Sequence, residues 1–248
     1  MTHHFEPQAD NALLARLAQM TDAITTLEAQ YPRDSSGVAL LAVSKTRDIA
    51  EIRTLLTAGQ RDFGENYLQE AVTKIQALKG EILEPAPIWH YIGGIQSNKT
   101  RPIAEHFDWV HTLASQKVAT RLAQQRPDSL SPLRVLIQIN IDDEDSKSGI
   151  KPRDLDALVE TILSLPRLKL RGLMAIPRAE KDLAAQALPF QRLRELLQAT
   201  QQRYGEPLNE FDQLSMGMSG DVESAIKEGA TWVRIGTAIF GPRSASKS

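Results

Sequence analysis

Short runs of branched apolar residues alternate along the chain with longer stretches in which apolar positions recur every three or four residues. The first such stretch, residues 8–30, sets Leu13, Leu17, Met20, Ile24 and Leu27 on one helical face. Pro32 and the polar Asp34-Ser35-Ser36-Gly37 end it. Eight strand-like runs follow, at residues 38–44, 61–63, 88–92, 108–111, 134–140, 169–175, 213–216 and 232–235. Helical patterns separate them. Ile49, Ile52, Leu55 and Leu56 follow the first run, and Ala71, Val72, Ile75 and Leu78 follow the second. Leu155, Leu158, Val159 and Ile162 form the apolar face of a helix opened by Pro152. A long helix over 183–203 buries Phe190, Leu193, Leu196 and Leu197. Other helices are expected to begin near Asn98 and Ser115, with Asp221 as the cap of a short one.

Uncharged runs rich in branched residues suit strands buried on both faces of a parallel sheet. Eight strand–helix units joined by right-handed crossovers close into a barrel. The expected fold is an α/β chain: a single (β/α)8 TIM barrel with an additional N-terminal helix. One domain over 1–248 is expected, with 1–37 as helix and lead-in and 244–248 as a loose tail. A doubly wound open sheet is the rival. It usually has fewer strands and carries a Gly-rich turn after the first, where this chain has Ser44-Lys45-Thr46-Arg47.

Composition narrows the chemistry. The chain has no cysteine, which removes disulfides, thiolate catalysis and Cys-type metal sites. A formal net charge of -2 gives no electrostatic case for nucleic acid or an anionic membrane. No apolar run is long enough to cross a bilayer, and residues 1–6 lack the basic and apolar regions of a secretory signal. A cytoplasmic protein is expected. No exposed apolar stripe marks a dimer face, so a monomer is expected.

In a barrel, residues just past each strand converge on one mouth. Lys45 stands there alone after the most apolar run, and an amine shielded from water is the kind that attacks carbonyl carbon. The rest of that ring is Asn66, Ser97-Asn98, His111-Thr112, Asn140, Met174, Ser219 and Arg234 with Gly236-Thr237. It lacks a carboxylate pair and a His–acid cluster, which disfavours glycosidase and metal chemistry. His90 and His111 stand isolated on strands and read as packed or hydrogen-bonded structural histidines. Met216-Gly217-Met218-Ser219-Gly220-Asp221 and Ile235-Gly236-Thr237-Ala238-Ile239-Phe240-Gly241 are glycine turns after the seventh and eighth strands, where barrels hold phosphate. Asp221, so close to a bound anion, is the weak point of that reading. An inward Arg234 needs a partner, either a salt bridge or a ligand. Asn66 reads first as a helix cap and second as a ligand contact. Lys147 lies in the acidic loop 142–149 at the same mouth. An amine, a phosphate site and an inward arginine together suggest a phosphorylated aldehyde.

Several motifs resemble, in order and spacing, the pyridoxal phosphate homeostasis protein family. They are Ala42-Val43-Ser44-Lys45-Thr46, Phe63-Gly64-Glu65-Asn66-Tyr67, Trp89-His90-Tyr91-Ile92-Gly93, Gln96-Ser97-Asn98-Lys99, Ser146-Lys147-Ser148-Gly149, Leu214-Ser215-Met216-Gly217-Met218-Ser219 and the turn from Arg234 to Gly241. The resemblance implies the barrel of the alanine racemase N-terminal domain. It also implies that Lys45 forms a Schiff base with pyridoxal 5′-phosphate (PLP), that Ser219, Gly236 and Thr237 hold the phosphate, and that Arg234 faces the pyridine nitrogen. Asn66 matches a position near the cofactor. Two departures stand out: Ala114-Ser115 where the family commonly has Asp and a basic residue, and Gly94 where proline is frequent.

Two functions follow as expectations. The family implies a non-catalytic protein of vitamin B6 homeostasis that holds PLP and delivers it to apoenzymes. The alternative is an enzyme, either a PLP-dependent amino-acid racemase or a cofactor-free aldolase using Lys45. A racemase needs two bases on opposite faces of its substrate, and related racemases take the second from another domain, which this sequence is not expected to supply.

Overall fold

The eight apolar runs pair side by side in chain order and close on themselves. The computed structural model describes residues 7–31, 37–81, 86–144 and 147–242. Pro32, Asp34-Ser35-Ser36, Ser146, the N-terminal residues 1–6 and the expected tail 244–248 lie outside the described residues. The strands are β1 (Ala39–Val43), β2 (Asp62–Glu65), β3 (Ile88–Tyr91), β4 (Trp109–Leu113), β5 (Leu133–Gln138), β6 (Leu168–Met174), β7 (Gln213–Ser215) and β8 (Trp232–Ile235). They form a closed parallel barrel in the order β1 to β8, with β1 against both β2 and β8. The fold is the α/β TIM barrel that the alternation of patterns predicts.

The helices are α1 (Pro7–Gln30), α2 (Ile49–Thr57), α3 (Leu68–Lys79), α4 (Thr100–His106), α5 (Gln116–Gln125), α6 (Leu155–Leu163), α7 (Leu183–Tyr204), α8 (Val222–Lys227) and α9 (Thr237–Phe240). Asp48 starts α2 with a capping box: its side chain accepts from Ala50 N, and Glu51 returns a bond to Asp48 N. Pro152 opens a 3-10 turn, Pro152–Asp154, and α6 begins behind it. Likewise Ser97–Lys99 is a 3-10 turn that leads into α4. No helix among the described residues is long and apolar enough to cross a membrane.

Side chains alternate across each strand, so every strand feeds two cores. Outward-facing Ala42, Phe63, Val135, Leu173 and Val233 pack against the helices. Inward-facing Leu41, Ile92, Trp109, Leu136, Met174 and Trp232 fill the barrel axis. The interior is a plug rather than a pore. At its lower end the Trp109 and Trp232 rings lie 5.6 Å apart, with the guanidinium of Arg134 5.4 Å from the Trp109 ring centre.

Three details differ from the pattern-based reading. β2 runs two residues further than expected and takes in Glu65, a buried carboxylate. β4 reaches Leu113, with a register irregularity between Val110 and Leu113. On α3, Lys74 is buried while Val72 is only half-buried. The first and third share a cause: Lys74 pairs with Glu65 Oε1, so a charged strand end and a charged helix face meet where an apolar pattern would be expected.

Candidate ligand site at the barrel mouth

The alternation that fills the barrel also decides what its mouth presents. In β1, Leu41 and Val43 face the axis, and Lys45 continues that series two residues on. Ser44, of opposite parity, points outward and donates through Oγ to Glu65 Oε1 at 2.7 Å. Thr46 adopts a left-handed backbone, φ 62°, uncommon for a β-branched residue. Its N–H donates to Glu70 Oε1 at 2.6 Å, which holds that turn. Lys45 itself is half-buried, and its amine makes no hydrogen bond or ion pair among the described residues. Lys147 is different. Its amine is paired with Asp142 and lies 3.6 Å from Glu144. Arg178 donates from its main-chain N–H to Asp142 and from its guanidinium to Glu144, both at 2.8 Å, so the loops after β5 and β6 are tied together.

Asn66 does not cap α3. The N-cap position is Tyr67, whose side chain makes no capping hydrogen bond among the described residues. Asn66 Oδ1 is buried with no hydrogen-bond partner among the described residues. A buried amide oxygen without a donor is costly unless a ligand supplies one. Its backbone is pressed by Gly93, where an added Cβ would lie 2.2 Å from Asn66 O, and Thr112 Oγ1 fixes Gly93 O at 2.6 Å.

Arg234 enters from β8, level with Leu41 of β1. It is buried, and no carboxylate lies within ion-pair distance among the described residues. Its Nη1 donates to Ser215 Oγ and its Nη2 to Ala175 O, each at 2.9 Å. The salt bridge considered from sequence is therefore not formed. Burial lowers the guanidinium pKa to about 10, against a smaller opposing pull from Asp221. It remains a cation at neutral pH.

The two glycine turns sit beside it. Gly217 has φ 92°, and a Cβ there would approach Ala225 Cβ to 2.5 Å, so only glycine lets α8 pack this close. Asp221 does not cap α8 with its side chain. Its carboxylate turns back and accepts from Met218 N at 2.5 Å, and burial raises its pKa. Ser219 and Gly220, within that turn, make no main-chain hydrogen bond among the described residues. Gly236 lies against Val43, where an added Cβ would be 3.5 Å from Val43 Cβ, and Thr237 starts α9 with an exposed side chain. Two arginines hold the other end of α9: Arg16 donates to Ile239 O at 2.5 Å, and Arg47 to Phe240 O at 3.2 Å and to Gly241 O.

The structure thus gathers an unpartnered amine, an orphaned amide oxygen, a buried cation and open main-chain N–H groups at one end of the barrel. Lys74, Glu65, Glu70, Arg47 and Arg16 support the site, and the pattern reading overlooked them. Lysine at a buried helical phase of α3 was the signal available for Lys74. His90 and His111, read as isolated, are hydrogen-bonded to each other at 2.9 Å.

The family model described as alanine racemase, N-terminal domain, matches residues 8–244. A pyridoxal phosphate homeostasis protein of Pseudomonas aeruginosa is 56% identical over 212 residues, 85% of this chain and 87% of that protein. One from Vibrio cholerae is 50% identical over 232 residues, covering 94% and 97%. The structure of PipY from Synechococcus elongatus PCC7942 with PLP bound superposes with a TM-score of 0.78 at 36% identity, covering 92% of this chain and 100% of PipY.

Proposed function

The chain belongs to the pyridoxal phosphate homeostasis protein family, and from that premise we propose that it binds PLP at the barrel mouth and takes part in vitamin B6 homeostasis. The observation that carries the reading is that Lys45, whose amine has no partner among the described residues, and Asn66, whose amide oxygen is orphaned, lie just past the ends of the adjacent strands β1 and β2. When bound, the cofactor supplies an aldehyde that condenses with amines and a pyridine ring that can withdraw electrons.

The roles of this chain's residues follow from their chemistry. Lys45 supplies the nitrogen that holds the aldehyde as a Schiff base. Ser219, Gly236 and Thr237 offer a hydroxyl, open backbone and a second hydroxyl to the phosphate. Asn66 contacts the cofactor through an amide that has no other partner for its oxygen. Arg234 faces the ring nitrogen as a donor with no proton to give up, which keeps that nitrogen unprotonated. A ring held so is a poor electron sink, and this favours storage over carbanion chemistry. The protein would then limit the free reactive aldehyde and release cofactor to PLP-dependent apoenzymes, without turnover of its own and within the cytoplasm.

The test is direct. Protein mixed with PLP is expected to acquire visible absorption that borohydride removes, and not to exchange the α-proton of amino acids with deuterated solvent at enzymatic rates. Rapid exchange would turn the reading to a racemase. Absence of any chromophore would remove the cofactor.

A further inference from the structure

Beneath the mouth, five side chains from five strands form one unbroken line of hydrogen bonds through the barrel. Asp62 of β2 bonds His90 Nε2 at 2.9 Å, and His90 Nδ1 bonds His111 Nε2 at 2.9 Å. His111 Nδ1 bonds Ser215 Oγ at 2.8 Å, and Ser215 Oγ receives Arg234 Nη1 at 2.9 Å. The four inner members are buried, while the Asp62 side chain keeps 21% of its surface. Asp62 borders a cleft of 350 Å³ between α1 and the amino end of the barrel, shared with Thr21, Ala39 and Arg61. The line therefore joins the end of the barrel away from the mouth to the guanidinium at the mouth.

The chemistry of its two ends gives it a direction. Arginine can only donate, and an ionised carboxylate can only accept. Burial lowers the pKa of both histidines, His111 well below its ordinary value, with His90 and Arg234 adding to the effect there. Each ring then carries one proton. If Ser215 accepts from Arg234, its hydroxyl hydrogen goes to His111 Nδ1. His111 then donates from Nε2 to His90 Nδ1, and His90 donates from Nε2 to Asp62. Every donor has an acceptor. In the reverse order His90 Nε2 would present a lone pair to the Asp62 carboxylate, and the Ser215 hydrogen would lack a partner.

We propose that His90, His111 and Ser215 are positioning residues for Arg234, and that their line holds one proton order in which every group donates toward Asp62. Ser215 then always offers a lone pair to Arg234 Nη1, and Ala175 O fixes Nη2. With two corners pinned, the guanidinium plane is set, and its remaining N–H groups are aimed by the barrel rather than by the ligand. The role toward the ring nitrogen rests on the assignment of Arg234 proposed above; the proton order does not.

Two measurements decide it. Histidine-selective ¹⁵N NMR of the full chain without added cofactor, with its five histidines assigned, should show the His90 and His111 rings neutral, both protonated at Nε2, and not titrating between pH 6 and 9. An Nδ1-protonated or cationic ring at either position overturns the proton order. In cofactor-loaded protein, Ser215→Ala should weaken PLP retention about tenfold and shift the visible absorption maximum, because a hydrogen bond to a charged group is lost. Ser215→Thr, which keeps the hydroxyl, should restore both. Wild-type retention and spectrum in the Ala variant would overturn the positioning role. A wild-type chain with no chromophore would instead overturn the cofactor reading, and the NMR result would still decide the proton order.

Discussion

Lys74 Nζ lies 2.7 Å from the main-chain oxygen of Ser44, so one buried lysine holds the residue that precedes the half-buried Lys45. The same ammonium contacts Glu65 Oε1 at 2.8 Å and Glu70 Oε1 at 2.6 Å. Glu70 Oε1 in turn accepts from Thr46 N. Lys45 thus sits between two anchored neighbours. A left-handed non-glycine residue costs about 1–3 kcal/mol, and the bond from Thr46 to Glu70 offsets that cost. The backbone that carries the amine is fixed because Ser44 and Thr46 on either side of it are held.

Removing that anchor should be expensive. Lys74→Met leaves Glu65 buried without its cation, and breaking a buried pair in this way costs about 3–5 kcal/mol. Urea unfolding of the cofactor-free protein measures it. The double variant Lys74→Met/Glu65→Gln should recover at least half, since no fully buried charge is left without a partner. A loss near zero in the single variant would mean that the pair does not hold the turn.

The buried histidines make a prediction about acid. Both have folded pKa values lowered by burial, so below about 6.5 the unfolded chain takes up protons that the folded chain refuses. Their contribution is fully present above the unfolded value and is lost as pH falls. A ring protonated only in the unfolded chain contributes a slope of at most about 1.4 kcal/mol per pH unit. His111→Gln, which removes the more strongly lowered of the two, should remove the larger part of the combined slope below pH 6.5. An unaltered slope in the variant would show that His111 is not buried neutral.

Gly93 tests how tightly the mouth is built. A Cβ at this position would collide with Asn66 O, whereas one at Gly94 would meet nothing within 4 Å. Gly93→Ala should cost about 1–3 kcal/mol and weaken PLP retention by displacing Asn66. Gly94→Ala should change stability by less than about 0.5 kcal/mol. Equal effects of the two in paired unfolding and dialysis experiments would count against the packing described here.

Arg234→Gln removes the buried cation and leaves Ser215 and Ala175 with a neutral partner at best. PLP retention, followed by equilibrium dialysis, should fall about tenfold or more. Affinity equal to that of the wild type would take Arg234 out of the site.

The chain displays its architecture openly and its polar interior hardly at all. β8 begins and ends where its apolar run does, because Trp232, Val233 and Ile235 are buried on both faces and nothing competes with that pattern. β2 was harder to read, since Glu65 is a charged residue in a strand and its partner Lys74 lies nine positions away on a helix. Asn66 resembled a cap because asparagine before a helix usually is one. Here Tyr67 takes that position, and the unsatisfied amide oxygen shows only in three dimensions. His90 and His111 are 21 positions apart, and parity alone places them on the same interior face. Position along the barrel made Lys45 legible, but the engagement of its neighbours and the freedom of its own amine depend on contacts that no single strand contains.

The central claim is that one nitrogen, Lys45 Nζ, carries the cofactor. Reduction of the PLP-loaded protein with borohydride, followed by digestion and mass mapping, addresses it without appeal to activity. A single pyridoxyl adduct on the peptide containing Lys45, absent from Lys45→Ala, is the expected result. An adduct on Lys147 or any other lysine in place of Lys45, or no adduct at all, would contradict the account.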